Sequence, residues 1–257
     1  MIIVSLASIP FRFESLKKTI ISLNLQTVKP NIILLNICKQ YKRLKETWKD
    51  EDIEELKKYD NLIINWCNDE GPGTKILGIP NNNINISKEP EPGNGSLLNF
   101  PEDNKIIILD DDMEYHNKTI EILLQNINEK MISTFNYFNN TDFIEQSDGY
   151  VIKSNYIYAK LPGYLGYCFY QKYLTKLKEF MRSLYIIYPD VIYDDDAAVT
   201  GFFRSNKFKI IWNKKLDFIP NELHYNEKAL SSIHDYSSIR LTIIPRYVQE
   251  YINNSIL

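Results

Sequence analysis

Cysteine and histidine are scarce, each occurring three times in 257 residues. Cys38, Cys67 and Cys168 are odd in number, far apart in sequence and set among apolar residues. That pattern reads as three reduced thiols in a core rather than as a disulfide framework or a zinc site. An excess of basic charge is missing too: 30 Lys and Arg stand against 33 Asp and Glu, for a net charge of -3. No diffuse positive field is offered to a polyanion, so nucleic acid is not an expected partner. No apolar run approaches the ~20 residues that cross a bilayer. The opening Met1-Ile2-Ile3-Val4-Ser5-Leu6 is too short for the core of a secretory signal, and the expectation is a soluble, cytoplasmic protein. No internal repeat is visible. What is present is ordinary for a folded chain: 44% hydrophobic and 25% charged residues, enough to fill one large core.

Hydrophobic periodicity supplies the architecture. Short β-branched runs predict strands over 2–6, 32–37, 62–66 and 105–109, and apolar spacing of the helical kind predicts helices over 13–25, 52–58, 119–130 and 172–185. Further strands are expected over 150–152, 156–158 and 208–212, with an acidic helix start at Asp194. Runs apolar at every position belong to strands buried on both faces. The expected fold is therefore α/β, a mostly parallel central sheet flanked by helices. The Asn- and Pro-rich stretch 80–103 reads as a long surface loop.

The strand over 105–109 runs directly into Asp110-Asp111-Asp112. In an open α/β sheet this is the carboxyl end of a strand, where ligands bind. Adjacent carboxylates at ~4 Å repel by about 1 to 4 kcal/mol, and a cation offsets that cost. Hard oxygen donors without histidine or cysteine beside them suit magnesium or manganese. A solvated acidic turn, or a cap for the following helix, accounts for the same residues without a metal.

The segment Ile106-Ile107-Ile108-Leu109-Asp110-Asp111-Asp112 resembles the DxD signature of GT-A glycosyltransferases. Three further segments resemble, in the same order, a group of small GT-A-like transferases of bacteria and large DNA viruses. They are Ser5-Leu6-Ala7-Ser8-Ile9-Pro10-Phe11-Arg12-Phe13, Gly71-Pro72-Gly73-Thr74-Lys75 and Asp195-Asp196-Ala197-Ala198-Val199-Thr200-Gly201. The resemblance implies a Rossmann-like GT-A fold as one domain over 1–257, with a nucleotide-sugar half over about 1–115 and an acceptor half over about 116–257. It implies a metal-dependent transfer of sugar from a nucleotide-sugar, UDP being the commoner donor, to a glycan or other hydroxyl acceptor.

Residue by residue, the resemblance makes Asp112 the metal ligand and Asp110 a nucleotide and second metal contact, with Mn2+ or Mg2+ as the ion and Asp111 within the same donor-facing run. Ser8 and Arg12 become donor contacts, and Asp69 a partner for base or ribose. Gly71 to Lys75 is a turn opening a short helix, whose free amides and cation suit an anion; Lys75 reaches toward the diphosphate, or else the segment is an ordinary capped turn. Pro162-Gly163-Tyr164-Leu165-Gly166-Tyr167 resembles the loop before the acceptor-side helix. Its two glycines allow close backbone approach to a ligand, Gly166 as the donor contact, and Tyr164 and Tyr167 offer rings to a sugar. Asp196 is the expected base for the acceptor hydroxyl and Asp195 its helper, which implies inversion; one carboxylate of this helix start serves as a cap. A late histidine, His234 or else His224, completes the metal shell. Ala198 departs from the aromatic common in relatives.

Two other readings compete. A haloacid-dehalogenase-type phosphatase would use Asp110 as nucleophile and Asp112 as acid. It expects a small residue or threonine soon afterwards, where Met113-Glu114-Tyr115 stands, and more than 100 residues precede the strand here. The other is a GT-A-like fold kept only for binding carbohydrate.

Overall fold

A computed structural model describes residues 1–42, 44–80, 103–125, 127–135, 161–213 and Tyr247, together with the backbone of short strands at 83–85, 97–99, 143–146, 149–152 and 219–220. In chain order the strands are β1 (Ile2–Ala7), β2 (Ile32–Cys38), β3 (Leu62–Cys67), β4 (Asn83–Asn85), β5 (Leu97–Asn99), β6 (Lys105–Ile108), β7 (Met113–Glu114), β8 (Met131–Phe135), β9 (Phe143–Gln146), β10 (Gly149–Ile152), β11 (Tyr167–Tyr170), β12 (Lys209–Asn213) and β13 (Ile219–Pro220). The helices are α1 (Phe13–Asn24), α2 (Asp50–Leu56), α3 (Thr74–Leu77), α4 (Thr119–Leu124), α5 (Leu174–Ile187) and α6 (Asp195–Ser205).

Nine strands form one sheet in the order β3-β2-β1-β6-β11-β8-β12-β10-β9. The first four are mutually parallel. β11 then runs antiparallel between β6 and β8, and β8 and β12 are again parallel. One sheet thus carries strands from both sequence halves. β1, β2 and β6 are buried on both faces, as their continuous apolar composition requires, whereas β3, at the edge of the sheet, is only partly buried. On one face α3, α5 and α6 pack over Leu34, Ile106, Ile108, Phe169 and Trp212. On the other, α1, α2 and α4 cover Val4, Leu35, Ile107 and Leu109. In α1 the helical spacing of Leu16, Ile20 and Leu23 places all three fully inside, at about 1.5–3 kcal/mol of burial each.

The structure departs from the pattern reading in three places. The helix expected over 119–130 stops at Leu124, because Gln125 turns extended at ψ 139° and the chain goes on into β8, whose Ile132 and Phe135 enter the core. The stretch 80–103 holds an antiparallel pair, β4 with β5. β11, read only as the end of an aromatic loop, is a central strand. The strand expected over 156–158 lies outside the described residues, and none of the described helices is long and apolar enough to cross a membrane.

Candidate active site at the carboxyl edge of the sheet

β2 and β3 lie on one side of β1 and β6 on the other. The order of strands reverses there, and open α/β sheets receive ligands in the crevice at the carboxyl ends of such a pair. Four segments converge on this edge: Ser8 to Arg12 after β1, Gly71 to Lys75 after β3, Asp110 to Asp112 after β6, and the start of α6.

The acidic run divides. Asp111 turns inward, and its carboxylate accepts the Ser8 hydroxyl at 2.5 Å and the Arg12 guanidinium at 2.7 Å. Arg12 also stands 3.2 Å from Asp112. The turn itself is pinned from below: the Thr19 hydroxyl reaches the carbonyls of Asp111 at 2.9 Å and Met113 at 2.8 Å, while the Tyr115 hydroxyl accepts the Asp110 N–H at 3.0 Å. Burial pushes the Asp111 carboxyl upward, and Arg12 works against it.

Asp110 turns the other way, to Lys75. The Lys75 ammonium lies 2.6 Å from Asp110, 3.2 Å from Asp195 and 3.9 Å from Asp196. Its side chain is only 7% exposed. Burial alone would lower its pKa, but Asp110, Asp195 and Asp196 outweigh that and hold it well above the usual lysine value, so it stays charged. Burial likewise raises Asp195, with Lys75 opposing. The short α3 that carries Lys75 is fixed by a buried polar chain. The Ser5 hydroxyl donates to the Lys75 carbonyl at 2.6 Å, and the Asn36 amide donates to Ser5 at 2.9 Å.

Helix α6 resolves which of its acidic residues caps. Asp194 does, accepting the Ala197 N–H at 3.3 Å. That leaves Asp195 and Asp196 in the first turn, where the helix dipole favours negative charge. Both Asp196 oxygens accept the Gly163 N–H, each at 3.1 Å. Thr200 ties that loop to the helix, accepting the Leu161 N–H at 2.8 Å and donating to the Asp196 carbonyl at 2.6 Å. A Cβ at Gly163 would meet the Lys75 ammonium at 2.5 Å and Asp110 at 2.9 Å. Of the two glycines expected to allow close approach, the one at the charged centre is therefore Gly163, and not Gly166, the expected donor contact. Gly166 has φ +89° and sits against Leu109 and Leu123, a turn within the core. The two glycines in one aromatic segment were the available signal.

Other expected residues fall as follows. Both Asp69 oxygens are taken by backbone, accepting the N–H of Lys42 at 2.7 Å and of Gly71 at 2.9 Å, so Asp69 shapes the turn that leads to Lys75. Tyr167 is fully buried and stacked on Phe169 at 6.4 Å; it is a core residue and offers no ring to a sugar. His234 and His224 lie outside the described residues. Among the described residues no three His, Cys, Asp or Glu converge as a ready metal shell. A metal at this edge would take Asp110 and Asp112 from the protein and its other ligands from substrate and water.

No family model matches the chain, and no curated protein matches its sequence. Solved structures do match. S. aureus TarS superposes with a TM-score of 0.51 at 13% identity, over 87% of this chain and 37% of that one. TarS 1-349 in complex with UDP-GlcNAc gives 0.51 at 12% identity, over 98% of this chain and 66% of that one. The apo-form glycosyltransferase GlyE of Streptococcus pneumoniae TIGR4 gives 0.50 at 9%, over 99% and 63%. The chain therefore has the α/β fold of GT-A-type glycosyltransferases. It spans 37% to 66% of the lengths of these three chains.

Proposed function

We propose that the chain is a metal-dependent glycosyltransferase that moves a sugar from a nucleotide-sugar, a UDP-sugar by preference, to a hydroxyl acceptor with inversion. The observation that carries this reading is the Lys75 bridge. One buried ammonium joins the donor-edge carboxylate Asp110 to the Asp195–Asp196 pair on α6, in a fold shared with glycosyltransferases of which one was solved with UDP-GlcNAc. Ser8 and Arg12 order the donor side by holding Asp111 and Asp112. Five carboxylates face two cations here, so negative charge is in excess, and the donor atoms are hard oxygens; both features fit Mg2+ or Mn2+. Asp110 and Asp112 would hold the ion, which when bound supplies Lewis-acid stabilisation of the leaving diphosphate. Asp196, steadied by the Gly163 amide, accepts the proton of the acceptor hydroxyl. Asp195, fixed against Lys75, keeps the first turn of α6 in register with Asp110.

A thermal-shift screen of UDP, GDP, TDP and CMP with and without manganese tests the donor site. A ligand confined to the folded state adds about 2.7 kcal/mol at a hundredfold excess over its Kd. One nucleotide is expected to give a manganese-dependent shift that Asp112→Ala abolishes. No shift with any of them, together with cleavage of simple phosphomonoesters, would replace this reading with the phosphatase.

A further inference from the structure

β2 and β3 end on a register pair the sequence did not suggest, Cys38 opposite Cys67. The pairs beneath it on the same face are Leu34 with Ile63 and Asn36 with Asn65. The Asn65 amide donates to Asn36 Oδ1 at 2.8 Å, so this column of side chains is closed up across the strands. Parallel neighbours stand about 4.8 Å apart, inside the roughly 4.4–6.8 Å Cα separation that a disulfide spans. The Cys67 S–H donates to the Ile37 carbonyl at 3.6 Å, back toward β2, and the two thiols act on each other's ionisation, Cys38 being pushed up and Cys67 down. Cys67 is partly exposed on the edge strand, beside the exposed Trp66, whereas Cys38 is buried. Cys168 is buried in the core on the opposite face of the sheet.

We propose that Cys38 and Cys67 form an oxidisable dithiol that closes to a strand-bridging disulfide when a disulfide co-oxidant such as oxidised glutathione is present. Cys67, the accessible sulfur, attacks one glutathione sulfur as thiolate. The S–S bond of glutathione breaks, one glutathione thiolate leaves, and a mixed disulfide remains on Cys67. Cys38 gives up its proton and attacks Cys67 Sγ, expelling the second glutathione. Two protein thiols are oxidised and one glutathione disulfide is reduced to two thiols. The Cys38 thiol beside it favours the Cys67 thiolate and outweighs burial, Asp69 and Glu70, which oppose it; Lys178 adds a smaller favourable charge. A soft-metal site is the weaker use of the pair, since among the described residues no third ligand joins it. A bridge reached through the partly exposed Cys67 on the edge strand is open to thiols and so easy to reduce. The chemistry stands apart from the donor reading and is tested without it.

The test is thiol mapping of the folded protein after incubation with excess oxidised glutathione, acid quenching, unfolding and alkylation. Peptides containing Cys38 and Cys67 are expected to be joined, with Cys168 fully alkylated and the link lost on adding excess thiol. Cys38→Ser, checked for fold by circular dichroism, is expected to stop at glutathione on Cys67. Full alkylation of both cysteines in the oxidised wild type, or a mixed disulfide on Cys67 that never resolves there, would overturn the proposal.

Discussion

Lys75, in α3 after β3, and Asp110, in the turn after β6, meet at 2.6 Å, and the same ammonium holds Asp195 at 3.2 Å. Removing one member of a buried ion cluster leaves the others uncompensated, which costs about 3–5 kcal/mol. Lys75→Met is therefore expected to lose stability on that scale in urea unfolding. Adding Asp195→Asn should return part of the loss, because it removes one stranded charge. Additive losses in the double variant would contradict the coupling.

The two glycines of the 163–166 loop should differ in what turnover per folded molecule shows. Gly163→Ala puts a methyl 2.5 Å from the Lys75 ammonium. That ammonium is held in the buried cluster with Asp110 and Asp195, so moving it lowers the melting temperature, and donor turnover per folded molecule also falls at least about tenfold from displacement at the reacting centre. Gly166→Ala meets the Leu109 side chain at φ +89° and is expected to cost about 1–3 kcal/mol in stability, with turnover per folded molecule unchanged. Melting curves and turnover measured together separate them.

The acidic run should divide in function as it does in space. Asp111→Asn weakens the bonds to Ser8 and Arg12 inside the protein and is expected to destabilise by about 1–3 kcal/mol, leaving the manganese requirement in place. Asp112→Ala is expected to abolish manganese-dependent nucleotide binding. Calorimetric titration of metal against both variants checks the division.

Lys178 gives the pH dependence a definite sign. Burial, with Arg182 nearby, takes its pKa from 10.5 to about 8. The unfolded chain then keeps a proton the folded protein has released between those values, so this group's stability contribution is present above 10.5 and is lost as pH falls through about 8. Against Lys178→Met, wild type should gain on the order of 2 kcal/mol across that window, read from urea midpoints at both ends. A flat difference would contradict it.

Much of the frame was legible because it rests on local patterns. The apolar runs of β1, β2 and β6 read as strands buried on both faces, as they are, and Asp110 just after β6 reads as lying at the ligand edge; β3 reads alike but is the partly exposed edge strand. The interior of the site was not legible. Which way each carboxylate of a three-Asp run turns depends on Arg12 and Lys75 arriving from other strands, and a carboxylate in sequence carries no direction. β11 was missed because Tyr167-Cys168-Phe169-Tyr170 is short and follows glycines that read as a loop. Cys38 and Cys67 appeared unrelated because their adjacency is a matter of strand register, fixed by the packing of whole strands.

The most direct test of the account is donor turnover by Asp196→Asn beside wild type, with the nucleotide and metal that the binding screen selects. Asparagine keeps the shape and the Gly163 hydrogen bond but cannot take a proton. Nucleotide binding should be unchanged, while metal-dependent release of nucleotide from its sugar, to water or acceptor, falls by about 10²–10⁴. A variant that turns over donor at the wild-type rate would contradict the assignment of Asp196 and the inverting mechanism built on it.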